Sequence, residues 1–208
     1  MTITLKAGST AMFTGDSITS FERHGGDDPA GYPLQAAGRW CFEHPDRPLT
    51  WLNTAHAGDS TADLEARWET DVLAARPDVL TILVGINDVG NGRTPEEFAH
   101  TLSRLLTPLD GTPLILVEPF LLPVSTVVQT RRGLIGAPER ARWREALDPM
   151  ITVVRELART HGAELLATDR MFAELSERTG PEHWTDDGVH PNAAGHSALA
   201  EAWLTLVD

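Results

Sequence analysis

Five short apolar runs punctuate the chain, separated by longer stretches with a helical period. Ala11-Met12-Phe13-Thr14 and Leu49-Thr50-Trp51-Leu52-Asn53 are the first two, and Val79-Leu80-Thr81-Ile82-Leu83-Val84, bounded by Pro77 and Gly85, is the clearest. Residues 113–118 and 163–167 complete the series. Continuous apolar runs of this kind suit strands covered on both faces, as in a parallel sheet. The intervening pattern predicts helices over 33–43, 61–75, 139–161 and 192–206. Another starts at Thr94-Pro95-Glu96-Glu97, where a capping threonine, a first-turn proline and two acids suit the positive end of a helix. Pro149 falls inside 139–161, so a kink or break is expected there. Ala198, Leu199, Ala202, Trp203 and Leu206 form an apolar stripe that reads as a core face.

Strands alternating with helices predict an α/β fold: a three-layer α/β/α sandwich around a parallel sheet. Ligands in such folds gather at the carboxyl ends of the strands, so residues that follow strands are the ones to search. The stretch 121–138 is the one long irregular segment, of a length common in lids, binding loops and interface elements. It contains Arg131 and Arg132, for which a solvated surface role is the simplest expectation.

Composition narrows the function classes. The chain has 208 residues, 41% hydrophobic and 23% charged, which suits one core and a single domain over 1–208. A formal net charge of -13 argues against nucleic acid and anionic membrane surfaces, both of which favour a basic face. No apolar run approaches the ~20 residues of a membrane-spanning helix. The amino terminus lacks the basic start and apolar run of a secretion signal, so a cytoplasmic protein is expected. The single cysteine, Cys41, excludes an internal disulfide, and its position between Trp40 and Phe42 reads as a buried structural thiol.

Three segments after strands, and one before the last helix, carry candidate chemistry. Gly15-Asp16-Ser17-Ile18 follows the first strand, where a glycine-opened turn can expose a serine hydroxyl and aim its amide at a bound oxygen. Alone the tripeptide is weak, because Gly58-Asp59-Ser60 repeats it after the second strand. Gly85-Ile86-Asn87-Asp88 follows the third strand; it is a turn by composition, or a place from which an asparagine amide enters the crevice. In Asp187-Gly188-Val189-His190-Pro191 the three-residue spacing lets a carboxylate reach Nδ1 and leaves Nε2 to take a proton from a serine. His183, His190 and His196 show neither the His-Glu-x-x-His pattern nor a cysteine cluster, so no metal or other cofactor is expected.

Together these four segments resemble the GDSL esterase, or SGNH hydrolase, family. Gly15-Asp16-Ser17-Ile18 matches its first block, Gly58 the second, Gly85-x-Asn87-Asp88 the third and Asp187-x-x-His190-Pro191 the last. The resemblance spans about residues 10–205 and implies a flavodoxin-like sheet of five parallel strands in the order 2-1-3-4-5. It further implies Ser17 as nucleophile, His190 as general base and then acid, and Asp187 as the orienting acid. Asp186 is a rival by adjacency, but its spacing departs from the family pattern. The amides of Ser17 and Gly58 and the side chain of Asn87 would form the oxyanion hole, and Ser60 would be a decoy. Asp16 and Asp88 read as braces for their loops. Asp59 departs from the neutral residue common after the second-block glycine, and capping the helix that starts at Thr61 is its easiest role.

Residues 66–73, 85–89 and 117–120 look most like bacterial acetylxylan and related carbohydrate acetylesterases. The expected substrate is then a short-chain acyl ester on an oligosaccharide, with Trp184 either stacking on a sugar or packing against the last helix. A lysophospholipase or thioesterase of the same family is the alternative, and a non-catalytic carbohydrate-binding protein the reading from another class. The sequence leaves room for a homo-oligomer.

Overall fold

The computed structural model describes residues 2–20, 31–109, 111–130 and 133–208. Strands β1 (Thr10–Gly15), β2 (Thr50–Asn53), β3 (Val79–Leu83), β4 (Leu114–Val117) and β7 (Glu164–Leu166) form one sheet in the order β2-β1-β3-β4-β7. Every pairing in it is parallel. Counting only these five strands, the order is 2-1-3-4-5, the flavodoxin-like arrangement that the family resemblance implies. Each of the five apolar runs is a strand of this sheet.

Two apolar layers explain why polar alternation is missing from the strands. Met12, Leu80, Ile82 and Leu116 face one way, packing against α2 (Thr61–Trp68), α4 (Pro95–Leu106) and α5 (Ala137–His161). Ala11, Phe13, Leu83, Ile115 and Val117 face the other way, toward α1 (Tyr32–Glu43), α6 (Thr168–Thr179) and α7 (Ala193–Leu204). Thr81 interrupts the apolar run of β3 at no cost, because the buried indole of Trp203 donates to its hydroxyl at 2.9 Å. Thr94 caps α4 as its sequence predicts, accepting from the Glu97 amide while Glu97 accepts from the Thr94 amide.

Several expectations are corrected. Helix α5 runs unbroken through Pro149 for 25 residues. Leu147, Met150, Ile151 and Val154 bury both halves in one core, and the Glu145 carbonyl orphaned by the missing N–H belongs to an exposed residue. The helix predicted over 61–75 ends as α at Trp68 and continues as a wider turn over Glu69–Leu73, closed by a bond from the Ala74 amide to the Glu69 carbonyl. Cys41 is exposed. Helix α1 buries Tyr32, Pro33, Ala36 and Trp40, and one residue past Trp40 the helix has turned the thiol toward solvent. The irregular stretch holds a short hairpin, β5 (Val128–Thr130) with β6 (Gly133–Ile135), and buries Leu121, Leu122 and Val124. Arg131 and Arg132 lie outside the described residues. Helix α6, unpredicted, buries only Thr168 and Phe172 and so leaves little apolar pattern. A short helix, α3 (Ile86–Gly90), occupies the third motif.

Candidate active site

The site begins where β1 and β3 end side by side. Gly15 pairs with Leu83 in register and adopts φ 141°, and a Cβ on it would lie 2.0 Å from the Leu83 carbonyl oxygen. Only glycine allows that approach. The chain then turns, with the Asp16 amide donating to the Leu83 carbonyl at 3.2 Å, and presents Ser17 at the sheet's carboxyl edge.

From the other end of the chain, the turn before α7 brings His190 to this edge. Ser17 Oγ lies 2.8 Å from His190 Nε2, and His190 Nδ1 lies 2.6 Å from Asp187 Oδ2. The second Asp187 oxygen accepts from the amides of Val189 at 2.9 Å and His190 at 2.7 Å. Asp187, and not the exposed Asp186, therefore reaches the ring. Burial alone would raise the Asp187 carboxyl, but the His190 ring and these amides outweigh it and hold the group well below the usual carboxylate range. The turn is closed by buried Thr185, absent from the sequence reading, whose hydroxyl donates to the His190 carbonyl at 2.6 Å and accepts from the Gly188 amide at 3.0 Å. No motif flags a threonine two residues before the acid.

The second and third motifs meet each other, and the second is tied to the end of β1. The His56 amide donates to the Gly15 carbonyl, which ties the Gly58 loop to the end of β1. Gly58 is exposed with φ 93°, and the Asn87 side-chain amide donates to the Asp59 carbonyl at 3.1 Å. An amide carries two donor hydrogens, so this bond orients Asn87 and leaves one for a ligand. Asp59 does not cap α2. Its carboxylate forms an ion pair with Arg67 at 2.7 Å, which draws the charge aside, while Ser60 is the capping residue. Ser60 gives both its amide and its hydroxyl to Asp63, at 2.9 and 2.5 Å, so its hydroxyl proton is committed to a carboxylate in the helix cap.

Two buried carboxyls brace the site. Asp88 accepts from the Thr61 amide and hydroxyl and pairs with Arg93, while burial raises its pKa. Asp16 accepts from the Ile18 amide at 3.0 Å with one oxygen, and its other oxygen has no hydrogen-bond partner among the described residues. Burial pushes Asp16 up to about 7, opposed by the Ile18 amide and His190 and reinforced by Asp88 and Asp59.

His183 and His196 go elsewhere. His196 Nδ1 accepts from the Tyr32 amide, and His183 packs edge-on to Trp184. The Trp184 indole lies against Phe172 and donates to Thr179 at 2.8 Å. No three metal-ligating side chains converge among the described residues.

The model of the GDSL-like lipase/acylhydrolase family matches residues 13–198. The chain belongs to that family. As a GDSL-like acylhydrolase it is a carboxylic ester hydrolase. An acetylxylan esterase from Geobacillus stearothermophilus is 29% identical over 219 residues, covering 95% of this chain and 93% of the relative. A crystal structure of that organism's acetylxylan esterase superposes with a TM-score of 0.80 at 28% identity, covering 97% of this chain and 94% of the other. Two further solved structures of that esterase are described as catalytic mutants, one with a serine and one with a histidine changed to alanine. An α/β-hydrolase enzyme from the metagenome of Lake Arreo, Spain, superposes with a TM-score of 0.77 at 28% identity, over 97% and 96% of the two chains. Among the described residues, no helix is long and apolar enough to cross a membrane.

Proposed function

We propose that this GDSL-family chain removes short acyl groups, acetyl foremost, from carbohydrate hydroxyls through an acyl-enzyme on Ser17. The observation that carries the mechanism is the unbroken line from Ser17 Oγ through the His190 ring to Asp187, with contacts of 2.8 and 2.6 Å. Asp187 accepts at Nδ1 and so keeps Nε2 free to take the serine proton. As that proton moves to His190, Ser17 Oγ bonds to the ester carbon, and the carbonyl oxygen gains the negative charge. The amides of Ser17 and Gly58 and the free donor of Asn87 receive that oxyanion, each such donor contributing about 2.7–4 kcal/mol. The adduct then collapses: the bond from the acyl carbon to the sugar oxygen breaks, and His190 gives its proton to that departing oxygen, which leaves as the sugar hydroxyl. Water, deprotonated by the same nitrogen, attacks the acyl carbon; the bond to Ser17 Oγ breaks, Oγ takes the proton back from His190, and the carboxylic acid leaves.

Acetylated oligosaccharide is the proposed substrate because the Geobacillus relatives are described as esterases of acetylxylan and acetyl-xylooligosaccharides. The single cysteine fits a reducing compartment, and we place the reaction in the cytoplasm, on imported oligosaccharides. The test pairs two measurements. Labelling by an organophosphonate should reach one equivalent per chain and be lost in Ser17→Ala; failure to label would point to a non-catalytic carbohydrate-binding protein. Acetate release from acetylated xylo-oligosaccharides should exceed turnover of long-chain nitrophenyl esters. Preference for long acyl chains would instead assign the chain to the lysophospholipases or thioesterases of the family.

A further inference from the structure

One buried cation has no carboxylate partner among the described residues. Arg140, in the first turns of α5, is 4% exposed. Its three nitrogens donate to three main-chain carbonyls: Nε to Asp187 at 3.2 Å, Nη1 to Val124 at 3.0 Å, and Nη2 to Thr126. The nearby arginines behave differently, Arg142 pairing with Glu139 and Arg144 with Asp148 and Asp169. A guanidinium taken out of water needs strong acceptors, and its planar fork fixes the direction of each one.

What the fork holds is the back of the catalytic turn. The Leu122 amide donates to the Gly188 carbonyl at 2.8 Å. Gly188 has φ 88°, and a Cβ there would lie 2.6 Å from the Leu122 carbonyl oxygen and 3.2 Å from Arg140 Nε. Three pieces of chain thus meet at one side chain: the irregular segment after β4, the start of α5, and the Asp187-Gly188 turn. Asp187 sits between this anchor and His190. Its carbonyl takes the Arg140 bond and its carboxylate takes the imidazole and two amides.

We infer that Arg140 is a positioning residue: by gripping the Asp187 carbonyl from behind, it fixes the main chain from which the carboxylate aligns His190 with Ser17. This rests on the reading of Asp187 and His190 as acid and base. A cavity of about 700 Å³, lined by Arg140 with Phe120, Leu122, Phe172 and Ser176 but by none of the three catalytic candidates, borders the same side chain. Removing the guanidinium would therefore open a space that a small cation can enter from outside the active site.

The experiment is Arg140→Ala assayed on p-nitrophenyl acetate, with and without methylguanidinium. A displaced acid turn should lower kcat about 10–100-fold while KM changes by less than about twofold, because small misplacements of catalytic groups are costly and ground-state contacts are untouched. Methylguanidinium should restore part of kcat. The far-downfield proton resonance of the His190–Asp187 hydrogen bond should shift or vanish in the variant and return with the added cation. A folded Arg140→Ala protein with kcat within about twofold of wild type, or one whose loss methylguanidinium leaves unchanged, overturns the inference. Should that variant not fold, Arg140→Met carries the test; lowered kcat with a displaced resonance supports the role, and a wild-type resonance with wild-type kcat removes it. Wild-type turnover in Asp187→Asn would sink the underlying acid assignment instead, an outcome that Arg140 variants cannot produce.

Discussion

The side-chain amide of Asn87 holds the main-chain carbonyl of Asp59 at 3.1 Å, which fastens the short helix after β3 to the glycine loop after β2. The same amide is the proposed third donor of the oxyanion hole. Asn87→Ala removes a donor and loosens the loop bearing Gly58. We expect kcat to fall about 100–1,000-fold with KM little changed, measured by steady-state turnover of a nitrophenyl acetate. A loss below tenfold would mean that the backbone amides suffice.

The two Gly-Asp-Ser sequences make opposite predictions. Ser17→Ala should abolish turnover and phosphonate labelling without altering the circular dichroism spectrum. Ser60→Ala should keep most activity and lose about 0.5–2 kcal/mol of stability, since it deletes a helix cap that binds Asp63. Reversed outcomes would reassign the nucleophile.

Asp16 should make stability depend on pH. Its folded value of about 7 lies above the ordinary 3.8, so the folded protein holds a proton that the unfolded chain releases. The stability tied to that proton is complete below the unfolded value and is lost as pH rises through about 7. Asp16→Asn keeps an acceptor for the Ile18 amide and cannot ionise. Its gain over wild type in urea unfolding should grow by about 4 kcal/mol from pH 4 to pH 8. A gain that stays constant over that range would show that the carboxyl does not titrate there.

Pro149→Ala tests why α5 does not break. The helix is held by the core residues around the proline, so alanine should only add the missing main-chain bond. Thermal unfolding should show a rise worth about 1–2 kcal/mol, less than the full propensity difference because proline also stiffens the unfolded chain. Activity should not change. A lowered melting temperature would mean that the proline ring itself packs.

Much of this molecule is legible in its sequence because its sheet is buried on both faces. The runs at 11–14, 49–53, 79–84, 113–118 and 163–167 declare themselves by the same apolarity that keeps them in the core. Asp187 was legible too, because three-residue spacing on a turn suffices to join it to His190. What escaped depends on distant partners. Nothing in Glu139-Arg140-Ala141-Arg142 separates the buried arginine from the exposed one; only carbonyls at 124, 126 and 187 do. Asp59 looked like a cap because Arg67, eight residues on, is invisible to a local rule. Cys41 was misjudged by its neighbours' apolarity when helical phase decides exposure.

Ser17 and His190 stand 173 positions apart in the chain, and the main chain of Ile3 bonds to that of Leu206 and Asp208 near the far ends. On the proposed assignment, the first strand and the turn before the last helix must therefore close on each other before hydrolysis can occur. A product ending before Asp187 would own the proposed nucleophile without its proposed base and acid, so on that assignment hydrolysis would require the 187–190 turn to be made and folded against the end of β1.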